Sequence, residues 1–210
     1  MSDGRLVAIV PVGTLEGAKS RLGAVLDAEE RRDLVARMLL RTVAAALAVP
    51  RIAETIVISP DSEARAIAAG AGARTMRQRT QGLNQALRGA RDDAMAGGAT
   101  ALLVLPIDLP LVSADALSGF LAVLDDGDPN DALVALVPDR HGRGTNALLL
   151  RPPDAIEFAF GGDSRDAHAA AVAAAHARFL ELESPLSVDL DTPDDLLLVE
   201  RLESDAVHGH

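Results

Sequence analysis

Short runs of β-branched and aliphatic residues alternate along this chain with Ala-, Leu- and Arg-rich stretches of helical period. No other feature limits the fold as much. Strands separated by helices form βαβ units, and a parallel sheet built from them must be covered by helices. Leu6–Val10 reads as a buried first strand, followed by a Pro/Gly loop. Asp27-Ala28-Glu29-Glu30 has the pattern of a capping box, an N-cap Asp with Glu three residues on. The helix behind it places Leu34, Met38, Leu39, Val43 and Leu47 at three- and four-residue steps.

The pattern continues with a strand at 55–59, a helix from Ser62 closed by Gly70 and Gly72, and a helix over 83–95 stopped by Gly97-Gly98. A central strand at 101–105 runs into Pro106-Ile107-Asp108-Leu109-Pro110, and Ser113 caps the next helix. Strands at 133–137 and 147–150 flank the glycine-rich segment 139–146. An Ala-rich helix from Ser164, a strand at 179–182 and a helix with Pro193 at its first position complete the reading. With no repeat or linker, residues 1–203 are expected to form one α/β domain with a mostly parallel central sheet, and 204–210 a frayed tail.

Composition narrows the function. Apolar residues make up 49% of the chain, enough for a real core. Twenty Lys and Arg against 31 Asp and Glu leave a net charge of −11, which argues against a nucleic-acid partner. A polyanionic small substrate then needs metal ions or local cations to offset the field. The absence of cysteine excludes disulfides, thiolate metal sites and Cys nucleophiles. Neither a signal peptide nor a stretch near the roughly 18 apolar residues of a membrane span is evident, so a cytoplasmic protein is expected.

Four segments could carry chemistry, because open parallel sheets bind ligands beyond the carboxyl ends of their strands. The first loop, Pro11-Val12-Gly13-Thr14-Leu15-Glu16-Gly17-Ala18-Lys19-Ser20-Arg21, fails the spacing of a phosphate-binding P-loop. It can still bring backbone N–H groups, Lys19 and Arg21 to a triphosphate, or be a surface loop with solvated charges. Asp108, between two prolines, can reach a phosphate-bound cation or merely cap its own loop. In an extended Asp189-Leu190-Asp191 both carboxylates face one side and repel unless a cation intervenes. Asp191 could instead assist the helix at Pro193. Phe160-Gly161-Gly162-Asp163-Ser164 opens a helix whose free N–H groups could hold an anion, faced by Arg143-Gly144-Thr145-Asn146, although such glycine pairs are usually turns. His141, His168 and His176 lack metal-ligand spacing and read as surface or helix-face residues.

Together these pieces resemble the phospholactate guanylyltransferase family of deazaflavin coenzyme F-420 biosynthesis. The resemblance lies in A-K-S-R-L (Ala18–Leu22), G-L-N (Gly82–Asn84), L-P-I-D-L-P (Leu105–Pro110), P-D-R-H-G-x-G-T-N (Pro138–Asn146), F-G-G-x-S (Phe160–Ser164) and V-D-L-D-T-P (Val188–Pro193). It implies a GT-A-like, Rossmann-like nucleotidyltransferase fold, related to molybdenum-cofactor guanylyltransferases. It further implies attack by the phosphate of a small phospho-acid on the α-phosphate of GTP, with pyrophosphate released and the product handed to the next enzyme of the pathway. The phospho-acid expected first is phosphoenolpyruvate, then 2-phospho-L-lactate or 3-phospho-D-glycerate.

By motif, Asp108, Asp189 and Asp191 match ligands of one or two Mg²⁺ ions, and Thr145, Gly161 and Ser164 match the phospho-acid site. Pro11, Gly13, Lys19, Arg21 and Asn84 would lie along the nucleotide, with Asp108, Lys19 and Arg21 acting in catalysis. The family usually has Lys where this chain has Gly13. Such a reaction needs positioning and charge neutralisation more than a general base. The alternatives are a sugar or cofactor nucleotidyltransferase using another triphosphate, and a silent nucleotide-binding regulator.

Overall fold

The structure, a computed structural model, describes residues 4–16, 19–128 and 131–199. Gly17 and Ala18 of the first loop, two residues of the polar turn near 130, and the expected frayed tail lie outside the described residues. The strands are β1 (Leu6–Pro11), β2 (Ile52–Ser59), β3 (Arg74–Arg77), β4 (Ala101–Val104), β5 (Leu133–Pro138), β6 (Thr145–Arg151) and β7 (Arg178–Glu181). They form one sheet in the order β3-β2-β1-β4-β6-β5-β7. The helices are α1 (Ala28–Leu47), α2 (Ser62–Gly70), α3 (Leu83–Ala96), α4 (Ala114–Leu121) and α5 (Ser164–Ala175), followed by helical turns over 193–199.

Pairings are parallel except those of β6, which runs antiparallel to β4 and β5. The reason is connectivity: a short loop joins β5 to β6, and a hairpin can only return antiparallel. β6 starts at Thr145, earlier than its apolar run suggests, so Thr145 and Asn146 are strand residues. β3 has no counterpart in the sequence reading. It is a four-residue edge strand with charged ends, held through Arg74 by ion pairs to Glu54 and Asp93. Edge strands need no apolar run, and charge on them discourages further pairing.

β1 shows why the central strands are apolar throughout. Leu6, Ala8 and Val10 pack with Val35, Leu39 and Val43 of α1 and with residues of α2 and α4. Val7 and Ile9 point to the other face, against Leu87 and Ala90 of α3, and Val172 of α5 joins the same cluster. A strand covered on both faces has no solvent side on which to place polar residues. α1 begins with the expected capping box between Asp27 and Glu30.

From β1 the chain goes to β2 and β3 on one side, then returns to place β4 on the other. The segments after β1 and β4 therefore emerge side by side at the point where strand order reverses. A third, smaller cluster pins this end of the molecule. Leu22 of the 3₁₀ turn Ser20–Ala24, Met38 of α1, Leu190 and Val199 are buried together.

Candidate active site

Lys19 gathers the charged half of the site. Its backbone is left-handed (φ 55°), a conformation unusual for a residue with a side chain. Its Nζ lies 3.2 Å from Asp108 Oδ2 and 2.6 Å from Asp191 Oδ1. Burial opposes the ammonium charge, but the two carboxylates outweigh it and hold the Lys19 pKa above its ordinary value. Asp108 and the Asp189–Asp191 segment are tied through the backbone, Leu190 N–H donating to Asp108 O at 2.9 Å. With Leu190 buried, Asp191 reaches Lys19, and Asp189 stands close enough to feel the charges of Asp108 and Asp191. Asp189 has no ion pair among the described residues. Burial, then the charges of Asp108 and Asp191, push its carboxyl above the usual carboxylate range.

Beside this cluster opens a cavity of about 470 Å³. Pro11, Gly13, Lys19, Asp108 and Asp191 line it, together with Val12, Pro60, Gln78, Gly82 and Leu83. Gly82 has φ +86° at the N-cap of α3, which a side chain there would strain. Two acids outside the expected set of site residues fix the walls. Asp61 accepts the Leu15 N–H at 2.9 Å and caps α2 on Glu63 and Ala64, so it ties the first loop to that helix. Those backbone N–H groups, Leu15 first, hold its pKa low.

Asp195 accepts from the N–H groups of Asp191 (2.9 Å) and Thr192 (2.7 Å) and pairs with Arg140 of the β5–β6 loop. The helix-start role considered for Asp191 is thus filled by Thr192 and Asp195. Their Thr-x-x-Asp spacing, which resembles a capping box, was the available sequence signal.

The residues expected at the phospho-acid form a second group. Thr145, at the start of β6, and Ser164, at the start of α5, are both buried. Arg143 does face the segment before α5: its guanidinium pairs with Asp163 at 2.7 Å and its carbonyl accepts the Arg165 N–H. The Ser164 N–H donates to Gly161 O. Two of the first N–H groups of α5, those of Ser164 and Arg165, are therefore already taken. The hydroxyls remain. Ser164 Oγ makes no hydrogen bond among the described residues, and Thr145 Oγ1 has one partner, His168 Nδ1 at 3.0 Å.

His168 is fully buried on the face shared by Ser164 and Val172, four residues apart each. His141 and His176 are exposed as expected, whereas His168 is a helix-face residue on the buried side of α5 and not a surface one. Its Nε2 accepts the Ala159 N–H at 3.1 Å, and Phe160 packs edge-on against the ring. Burial lowers its pKa to about 4.

Other expected residues fall elsewhere. Asn84 is committed to the backbone of Phe160, accepting its N–H at 2.9 Å and donating to its carbonyl at 3.0 Å. It clamps the Phe160-Gly161 segment to α3 with one donor and one acceptor, which leaves one amide proton and one oxygen lone pair unused. Arg21 is exposed on the 3₁₀ turn, outside the cavity lining. Thr145, Gly161, Ser164 and Asp189 are also outside that lining. Among the described residues no three carboxylates or histidines already converge as a metal-ligand set, and the Lys19 ammonium lies between Asp108 and Asp191. No helix among them is long and apolar enough to cross a membrane.

Known proteins resemble this chain in fold and in sequence. In solved structures the fold matches a Desulfovibrio desulfuricans protein described as a nucleotide-diphospho-sugar transferase, with TM-score 0.75 and 18% identity over 96% of this chain and 88% of that one. It also matches CMP:2-keto-3-deoxy-manno-octonic acid synthetase complexed with CTP, with TM-score 0.63 and 15% identity over 96% and 99%. At the level of sequence, phosphoenolpyruvate guanylyltransferase of Sphaerobacter thermophilus is 43% identical over 90% of both chains. The enzyme of the same name from Rubrobacter xylanophilus is 43% identical over 92% of both. The family model described as "Guanylyl transferase CofC like" matches residues 6–205, and the chain belongs to that guanylyltransferase family.

Proposed function

We propose that this guanylyltransferase moves GMP from GTP to the phosphate of phosphoenolpyruvate, the substrate named for its relatives. A phosphate oxygen of the phospho-acid bonds to the α-phosphorus of GTP, the bond to the bridging oxygen breaks, and pyrophosphate leaves with that electron pair. The attacking phosphate is already ionised near neutral pH, so no side chain need remove a proton. The carrying observation is Lys19, held between Asp108 and Asp191 on the wall of the cavity. Its ammonium is kept charged and placed where a triphosphate would enter. The apolar walls Val12, Pro60 and Leu83 suit a flat base. Thr145 and Ser164 offer hydroxyls for the phospho-acid.

The donor chemistry fits Mg²⁺. Asp108, Asp189 and Asp191 supply only hard carboxylate oxygens, and Asp189 carries a charge that burial and its neighbours oppose and Lys19 does not offset. Those three residues would hold the ion, which when bound neutralises the triphosphate and eases approach of the second polyanion. With its carboxylate partners so engaged, Lys19 would be free to face the phosphates from the cavity wall. The product leaves as an anhydride of GMP and a carboxylic acid phosphate, to be consumed by an enzyme that uses it as an activated donor.

The test is pyrophosphate release across a matrix of nucleoside triphosphates and phospho-acids, with and without chelator. GTP with phosphoenolpyruvate should dominate and should need the divalent ion. Dominance by another triphosphate would transfer the site to sugar or cofactor activation, and no turnover in any pair would favour a regulator.

A further inference from the structure

The hydrogen bonds of His168 fix the direction of the proton on Thr145. Ala159 N–H can only donate, so Nε2 of His168 must be the bare, accepting nitrogen. An imidazole with Nε2 bare carries its single proton on Nδ1, because an imidazole bare at both nitrogens would be an anion in a buried site. Nδ1–H therefore donates to Thr145 Oγ1, 3.0 Å away. A hydroxyl that accepts from the ring must direct its own proton elsewhere, and no other described residue takes it. A protonated ring is excluded by the same geometry, since Nε2–H would then face the Ala159 N–H.

We propose that His168 is a positioning residue for substrate: it turns the Thr145 hydroxyl outward as a hydrogen-bond donor to an anionic oxygen of the bound phospho-acid. The inference rests on the reading above that the phospho-acid lies at Thr145 and Ser164. Three features serve it. His168 is fully buried, so water does not compete for Nδ1. The Phe160 ring, with its centroid 5.0 Å from that of the imidazole, fixes the ring plane. Ser164, one turn earlier on α5, presents its unpartnered hydroxyl from the same helix face. The ring also fastens Ala159, two residues before Gly161, so one side chain sets both the donor and the adjoining loop.

Two substitutions separate these duties. In His168→Asn the amide nitrogen can stand where Nδ1 stands and still donate to Thr145, while the Ala159 contact is lost. In His168→Gln the amide oxygen can stand where Nε2 stands and keep Ala159, while the donor to Thr145 is lost. The expected result is that His168→Gln and Thr145→Val each raise the KM for phosphoenolpyruvate roughly tenfold. Their double variant should be no worse than Thr145→Val alone, His168→Asn should stay within about threefold of wild type, and no variant should shift the KM for GTP.

Nitrogen-15 spectra of the wild-type imidazole should give the Nδ1–H tautomer. An Nε2–H tautomer, additive losses, or equal losses in the two histidine variants would overturn the proposal. If both histidine variants fail to fold, the wild-type tautomer decides. An active enzyme in which His168→Gln keeps its KM defeats this proposal and leaves the functional reading standing. A wild-type protein that uses no phospho-acid defeats the functional reading itself.

Discussion

The two halves of the site handle polar groups in opposite ways. Around Lys19, one ammonium serves Asp108 and Asp191 while Asp189 stands beside them without an ion pair, so charge is left over. Around His168, the ring nitrogens are both matched, the imidazole is neutral, and only the protons of two hydroxyls are left over. The charged half is assembled from the first loop, the end of β4 and the Asp189–Asp191 segment, held by backbone pairing and the small cluster at Leu22 and Leu190. The neutral half is built on β6 and α5, whose positions the main core fixes. On the proposed function, the first half awaits a counter-charge. The other is finished before substrate enters.

If that contrast is right, removing charge from the first half should separate stability from activity. Asp189→Asn deletes a carboxylate whose ionised form the fold disfavours, so melting at pH 7 should be unchanged or slightly higher. Turnover should fall roughly thousandfold, because neutralisation by a bound ion contributes several kcal/mol and each decade is about 1.4. An Asn variant that melts lower and works normally would remove Asp189 from the site.

The neutral half should show itself in acid. The unfolded chain protonates His168 below about pH 6.5, whereas the native ring stays neutral down to about 4. The unfolded state therefore binds more protons across that window, and native stability is lost as pH falls through it. The loss amounts to about 3 kcal/mol at full extent. Asp189, with its pKa raised, acts in the opposite sense toward the low end. Comparing denaturant unfolding of wild type and His168→Asn at pH 7 and pH 4.5 isolates the histidine. The variant's stability should fall less. Identical slopes would mean that the ring is not held neutral.

A smaller effect is expected at Ser164. Its hydroxyl binds no described residue, so Ser164→Ala should leave melting nearly unchanged. A lost hydrogen bond to a charged group contributes about 1.5–3 kcal/mol, which makes a tenfold or greater rise in the KM for the phospho-acid the expected result. An equal rise for GTP would move Ser164 to the other half of the comparison.

Legibility in the sequence follows the same divide. Strand and helix order, the capping box at Asp27 and the pairing of Asp189 with Asp191 all come from local periodicity, which survives without tertiary context. β3 was hidden because an edge strand takes its hydrogen bonds from β2 and needs no apolar run. His168 was hidden for a different reason. A histidine is read as polar, yet its spacing with Ser164 and Val172 places it on the inner stripe of α5, and only the partners across that stripe reveal its task. Asn84 carries a motif, and the structure adds a duty that the motif does not show, the two hydrogen bonds that hold Phe160. Loop-to-loop bonds such as the Arg140–Asp195 pair join residues far apart in the chain, beyond what spacing can predict.

The mildest test adds charge where the charged half has room for it. Gly13 lines the cavity, its φ is outside the left-handed range, and nothing lies within 4 Å of where a Cβ would stand. A side chain there meets neither backbone strain nor a clash, so the glycine is not required by the loop. Its carbonyl, held by Ser59 Oγ at 3.3 Å, is untouched by substitution. Gly13→Lys should therefore fold normally and lower the KM for GTP by a few-fold, since a partly exposed charge pair contributes up to about 1 kcal/mol. The gain should fade as salt rises, because screening acts within about 8 Å at physiological ionic strength. The KM for the phospho-acid should hold still, because Thr145 and Ser164 belong to the neutral half. Tighter binding of both substrates would mean that the added cation serves the whole site and that the two halves share one field. Weaker GTP binding would mean that the new ammonium is captured by Asp108 or Asp191 and competes with Lys19, which places the excess negative charge nearer Gly13 than the triphosphate.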